Sequence, residues 1–156
     1  MTPPLVSIVL CTFNRARLVK RAIDSVLRQS YRNIELIIVD DGSTDGSEKV
    51  LLNIAKRDAR CIFLRHANQG LARSRNVGWK NASGDFITFI DSDDEYKPNH
   101  IRGRVRYFQS HRSVDLIYGG AVPLGPRAAH YVPDIERPGK LIHVSKCSVS
   151  GTIMAR

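Results

Sequence analysis

Residues 86–95 run Phe-Ile-Thr-Phe-Ile-Asp-Ser-Asp-Asp-Glu, so a string of strand formers ends in Asp91, Asp93, Asp94 and Glu95. These carboxylates cannot all be buried bare, because an unpaired charge taken out of water is strongly disfavoured. Their crowding at one strand end calls for a cation, and hard oxygen ligands suit magnesium, manganese or calcium rather than zinc. In Asp91-x-Asp93 two short carboxylates can face a single ion whose remaining positions are open to diphosphate oxygens and water. Such an ion would act as a Lewis acid on a diphosphate leaving group. Asp94 and Glu95 read either as a third ligand or as a cap for the turn ahead of Pro98. Residues 37–43, Ile-Ile-Val-Asp-Asp-Gly-Ser, repeat the pattern of apolar strand and acidic turn around Asp40 and Asp41. Alone, Asp-Asp-Gly-Ser is an ordinary turn sequence. Two acidic strand ends in one small domain are harder to dismiss.

The elements that must position these groups alternate. Leu5–Leu10 is an apolar run that reads as a strand buried on both faces, Ile34–Val39 as a second buried strand, Cys61–Leu64 as a short third and Asp85–Ile90 as a fourth. Between them, Leu18, Val19, Ala22, Ile23, Val26 and Leu27 recur at a helical period, with Asn14 as a cap near the start. Asp45 and Glu48 resemble a capping box for a helix to about residue 58, and Leu71–Asn81 reads as a third helix stopped at Ser83-Gly84. Pro98 opens a fourth over Asn99–His111, and Val114–Tyr118 reads as a fifth strand. Trp79 and Phe108 fall at helical core spacing and are expected to pack. The alternation predicts an α/β, mostly parallel sheet flanked by helices, with ligands at the carboxyl ends of the strands. Three such ends carry polar groups: Thr12 and Asn14, Asp40 and Asp41, and the 91–95 cluster. Beyond about residue 120 prolines and glycines dominate, with Ile142–Val144 and Val149–Met154 as short strand candidates. The expected division is an α/β core over 1–120 and the start of a second, incomplete region over 121–156.

At 156 residues, 42% hydrophobic and 25% charged, the composition is that of one globular domain. No apolar run is long enough to span a bilayer, and the N-terminus lacks the pattern of a signal peptide. Cys11, Cys61 and Cys147 are widely spaced and odd in number, which favours buried thiols in a reducing, cytoplasmic compartment. The five histidines show no pair at ligand spacing, so zinc is not expected. The net charge of +9 suits an anionic partner. Arg15, Arg17, Lys20 and Arg21 form one basic group, and Arg102, Arg104, Arg106 and Arg112 another. With aromatics at only 7%, nucleic acid is not the expected partner; the charge fits anionic lipid headgroups, a phosphorylated substrate or acceptor, or simply solvated helix faces, and does not choose among them.

Four segments together resemble a known family. Residues 6–15 (Val-Ser-Ile-Val-Leu-Cys-Thr-Phe-Asn-Arg), 38–46 (Ile-Val-Asp-Asp-Gly-Ser-Thr-Asp-Gly), 68–78 (Asn-Gln-Gly-Leu-Ala-Arg-Ser-Arg-Asn-Val-Gly) and 84–94 (Gly-Asp-Phe-Ile-Thr-Phe-Ile-Asp-Ser-Asp-Asp) are similar, in order and spacing, to the family 2 glycosyltransferases of the GT-A fold. The resemblance implies a Rossmann-like GT-A core that binds a nucleotide-diphospho-sugar, taken to be uridine-linked, and transfers the sugar with inversion. It places Cys11, Thr12, Phe13 and Asn14 in the base pocket, with Asp41 accepting from the pyrimidine edge and Asp40 beside it. It puts Arg75 near the donor phosphates or sugar, Asp91 and Ser92 toward the ribose, and Asp91 and Asp93 at a divalent ion, Mn2+ or Mg2+, with Asp94 sharing that task.

Inversion also needs a carboxylate base on the acceptor side. After residue 115 only Asp134 and Glu136 could supply it, and neither sits in a recognisable motif. The base is therefore expected beyond Arg156, in an acceptor half this chain does not include. A glycan or lipid-linked acceptor, met at the inner face of a membrane, completes the expectation. The competing reading is a non-catalytic nucleotide-sugar-binding or interaction module lacking the base. A haloacid-dehalogenase-like phosphatase and a response-regulator receiver also place aspartates at strand ends, but neither accounts for residues 68–78.

Overall fold

The computed structural model describes residues 2–119, 131–133, 141–143 and 153–156. Its elements are β1 (Val6–Thr12), α1 (Val19–Leu27), β2 (Ile34–Asp40), α2 (Ser47–Arg57), β3 (Cys61–Arg65), α3 (Leu71–Lys80), β4 (Phe86–Asp91), α4 (His100–Ser110), β5 (Leu116–Ile117), β6 (Tyr131–Pro133), β7 (Leu141–His143) and β8 (Met154–Ala155). Six strands form one sheet in the order β3-β2-β1-β4-β8-β5. The first four are parallel, and β8 runs antiparallel between β4 and β5. This is the mixed, mostly parallel architecture expected. The chain reverses its direction of progress across the sheet between β1 and β4, which opens a crevice at their carboxyl ends.

One sheet face carries Ile8, Leu10, Leu36, Ile38 and Ile90 under α1, α2 and α4, all fully or almost fully buried. Phe108 of α4 stacks on Phe86 of β4 with ring centroids 4.7 Å apart, a contact worth about 1 kcal/mol beyond its buried area. The other face, around Val9, Cys11, Ile37 and Val39, is covered by α3. That helix lies so close that a Cβ on Gly78 would sit 2.3 Å from a methyl of Val9.

Several local expectations are corrected. β1, β2 and β4 run on into Thr12, Asp40 and Asp91, with Thr12 paired to Asp40 and Cys11 to Asp91 in the ladder. Backbone pairing is indifferent to side-chain polarity, so these three residues sit inside the sheet, with Asp41 and Asp93 just beyond its edge. Asn14 does not cap α1, and Asp45 with Glu48 forms no capping box, because neither helix has a side-chain cap. Trp79 is 63% exposed while Phe108 is buried, so helical spacing alone misplaced the tryptophan. Val114–Tyr118 contracts to Leu116–Ile117. In the proline-rich stretch, Tyr131–Pro133 is a strand paired with Leu141–His143. Val144 and residues 149–152 lie outside the described residues, whereas Met154–Ala155 is laid into the core sheet. Cys11 and Cys61 are free, buried thiols, as read from the sequence.

Candidate functional site

A crevice of about 300 Å3 opens at the carboxyl ends of β1, β2 and β4, lined by Cys11, Thr12, Phe13, Arg15, Asp41, Leu71, Asp91, Ser92 and Asp93. Its floor is the ladder itself. Thr12 is buried, yet its hydroxyl has no hydrogen-bond partner. A buried hydroxyl left unsatisfied costs about 1–3 kcal/mol, and the residue that carries this one lines the crevice. Burial pushes the Cys11 thiol up to about 12 against the pull of Arg75, so it stays neutral and is a wall, not a nucleophile.

The two loops above the floor are latched to each other. Asn14 adopts a left-handed conformation (φ 52°), its N–H donates to Ser43 Oγ at 2.8 Å, and its Oδ1 accepts from the Thr44 N–H at 2.8 Å. The Ala16 N–H donates to Asp45 at 2.9 Å, which also fixes Ser47. Asp40 is fully buried and turned away from the crevice. It accepts from the Ser43 N–H at 3.1 Å and pairs with Arg65 at 3.3 Å, so it shapes the turn and lines nothing. Asp41 does face the crevice. Its two oxygens accept from the N–H groups of Gln69 (2.8 Å) and Gly70 (2.9 Å), and each keeps a second lone pair. The intervening turn needs Gly42: at φ +78° a Cβ would lie 2.8 Å from the Asn68 nitrogen.

At the other end of the crevice Arg75, on α3, donates to Asp91 Oδ1 at 2.7 Å and lies over the Phe89 ring at 5.9 Å. It is therefore a partner of the acidic strand end rather than a solvent-facing helical arginine. Asp93 is half exposed at the crevice mouth, with Arg15 3.9 Å away, beyond hydrogen-bond reach. Burial, and then the charges of Asp91 and Asp93, raise the Asp94 carboxyl above the ordinary range. Glu95 pairs with Arg21 at 2.7 Å, so part of the first basic group serves the acidic turn. The turn is also held by Ser25 of α1 and by Gln29 just beyond it, which bond the backbone of Tyr96, Lys97 and Ile101.

Among the described residues no group of three or more His, Cys, Asp or Glu side chains forms a metal cage. Asp91, Asp93 and Asp94 are brought to one turn but do not converge on a point. They fit an ion only as one or two hard oxygen ligands, the rest of its shell coming from phosphate and water, a common arrangement for magnesium. Arg15, read from sequence only as part of a basic group, and Leu71, given no role there, both line the crevice. Leu71 is signalled only by following the Asn-Gln-Gly turn. His66, beside Asp41, carries no sequence signal, being a lone histidine. Asp134 and Glu136 lie outside the described residues.

Comparison with known proteins follows the same lines. The model of the family described as glycosyl transferase family 2 matches residues 7–137. An uncharacterised glycosyltransferase of Haemophilus influenzae is 48% identical over 95 residues, covering 60% of this chain and 38% of its own length. EpsJ of Bacillus subtilis, also an uncharacterised glycosyltransferase, is 37% identical over 130 residues, covering 83% of this chain and 38% of its own. The chain thus spans under half the length of these relatives. Among solved structures, the mannosyltransferase PcManGT of Pyrobaculum calidifontis, in complex with GDP-Man and Mn2+, superposes with a TM-score of 0.69 at 21% identity, over 76% of this chain and 36% of that one. S. aureus TarS 1–349 with UDP-GlcNAc gives 0.72 at 22% identity, over 97% and 45%. With the family model spanning most of the sequence, the chain belongs to glycosyl transferase family 2.

Proposed function

We propose that this chain is the donor-binding portion of an inverting glycosyltransferase that takes a sugar from a nucleotide-diphospho-sugar, uridine-linked, to an acceptor hydroxyl on a glycan or lipid carrier. The observation that carries the reading is the unpartnered Thr12 hydroxyl at the floor of a crevice with Asp41 at one end and Asp91 and Asp93 at the other. A base ring edge placed against Asp41 finds a rigid acceptor, already aimed by the Gln69 and Gly70 N–H groups. A diphosphate then lies toward Asp93 and Arg15, where Asp91 is held by Arg75. A divalent ion, Mn2+ or Mg2+, bound by Asp93 with Asp91 or Asp94 would neutralise the departing diphosphate. PcManGT holds GDP-Man and Mn2+, and TarS holds UDP-GlcNAc, the kinds of ligand proposed here.

The base that deprotonates the acceptor is assigned to the acceptor side of the whole protein. Exposed Arg102, Arg106 and Arg112 would meet an anionic membrane or a phosphorylated carrier. No helix among the described residues is long and apolar enough to cross a membrane. The test is calorimetric titration of UDP with and without Mn2+, in the wild type and in Asp93→Ala. Metal-dependent binding lost in the variant supports the reading. Absence of binding by UDP, GDP and dTDP alike would remove it.

A further inference from the structure

Beside the donor crevice, outside the residues that line it, His66 joins the two elements that build it. It follows β3, and only 17% of its side chain is exposed. Its Nδ1 lies 2.8 Å from the Ala67 carbonyl and 3.4 Å from Asp41 Oδ1. Both neighbours are acceptors, so the hydrogen-bond network assigns a hydrogen to Nδ1 in either charge state. The variable atom is Nε2, 3.3 Å from the hydroxyl of the fully buried Ser74 on α3. With a neutral ring, Nε2 accepts and the Ser74 hydroxyl donates to it. With a charged ring, Nε2–H donates to Ser74 Oγ, and the Ser74 hydrogen turns to the Gly70 carbonyl, 3.2 Å away. Gly70 is the residue whose N–H holds Asp41 Oδ2. One proton on His66 therefore acts on Asp41 twice: it sets a positive ring beside Oδ1, and it reverses the hydroxyl bonded to the residue that holds Oδ2.

We propose that His66 is a positioning residue that makes nucleotide binding proton-dependent, with the neutral ring leaving Asp41 free to accept from the base and the charged ring drawing that carboxylate to itself. The inference rests on the donor-site reading above. The charged groups around the ring are accounted for. Asp41 faces it from the end of β2. Arg65, next to it in the chain, is taken up by Asp40 and by Glu48 of α2. On α3, Arg73 turns to Gln69 Oε1 at 3.3 Å, leaving Ser74 as the group from that helix bonded to the ring. Ser74 precedes Arg75, so the same contact links the Asp41 end of the crevice to the Arg75–Asp91 end.

The experiment is calorimetry of UDP-glucose and GDP-mannose binding from pH 8 to 5.5, repeated at pH 6 in two buffers of different ionisation enthalpy. These diphosphate diesters do not themselves titrate in that range. The wild type is expected to lose about five- to tenfold in affinity as the pH falls, and to release protons on binding at pH 6. His66→Asn keeps a donor near the Nδ1 position and cannot titrate. It is expected to bind more weakly than wild type at pH 8, with a flat pH profile and no proton release on binding at pH 6. Ser74→Ala, which removes the hydroxyl but not the charge, should keep part of the slope. A pH-independent wild type, or a His66→Asn profile as steep as the wild type's, overturns the proposal while leaving the donor site intact. Wild-type protein that binds neither sugar nucleotide at any pH removes the donor-site reading and this inference with it.

Discussion

At the end of β2, Asp40 and Asp41 are 0% and 4% exposed and each oxygen meets a backbone N–H or an arginine, whereas at the end of β4 Asp93 keeps 51% of its side chain exposed and Asp94 is pushed toward protonation by burial and its neighbours' charges. Both segments follow an apolar strand and both begin with aspartate, yet one is enclosed and held by the protein, with Asp40 Oδ2 paired to Arg65 but not hydrogen-bonded, and the other is left short of positive charge. The first is a rigid acceptor, fixed before any ligand arrives. The second is an under-neutralised turn that an ion and a diphosphate would complete. The difference teaches that an acidic strand end is not one kind of object. Its partners, and not its sequence, decide whether it is scaffold or binding surface.

Four substitutions separate the two ends. Asp40→Ala removes both the turn-shaping acceptor and one partner of the partly exposed Arg65, and should cost about 2 kcal/mol in urea denaturation, the scale of losing a charged hydrogen-bond acceptor and leaving the Ser43 N–H unpaired. A loss of well under 1 kcal/mol would mean that the β2 end is not held as described. Asp93→Ala should show the reverse pattern, with little change in unfolding midpoint but metal-dependent nucleotide affinity down by about tenfold or more, some 1.4 kcal/mol. Equal effects of these two variants on stability would erase the contrast. Thr12→Val replaces the unpartnered hydroxyl with a methyl group of similar shape. It should raise stability by about 1 kcal/mol while weakening the nucleotide, a trade that shows the hydroxyl is reserved for a ligand. Asp94→Asn should stabilise the metal-free protein by less than about 1 kcal/mol at neutral pH, the group being substantially solvated. The sign follows from its raised pKa: the folded state disfavours the charged form, so the gain is present where Asp94 is ionised and fades as acid protonates it. A gain that grows on acidification would contradict the like-charge account.

Much of this architecture is legible in the sequence because it is written locally. Runs such as Ile34–Val39 have no polar face to turn to water, and the spacing of Ala22, Ile23 and Val26 fits a helix and not a strand. Periodicity failed where it could not see the neighbour. Trp79 has core spacing, but nothing among the described residues covers it enough to bury it. Asn14 and Asp45 carry side chains suited to helix caps, yet Asn14 is used by the opposite loop and Asp45 is shared between the loop opposite it and Ser47 at the start of α2, because the β1 and β2 ends lie side by side only in the folded sheet.

From the amino-acid order alone come the alternating elements and the three polar strand ends, since hydrophobic period and turn chemistry act within a few residues of themselves, and the family is marked there by the resemblance of four segments. Tertiary structure decided the rest. It sent Asp40 inward to Arg65, set Arg75 on Asp91, hung Asp41 from Gln69 and Gly70, and threaded Met154–Ala155 antiparallel between β4 and β5. Each of these joins groups more than a dozen positions apart. Whether a carboxylate is saturated or left waiting depends on which distant donors the packed sheet brings within hydrogen-bond reach.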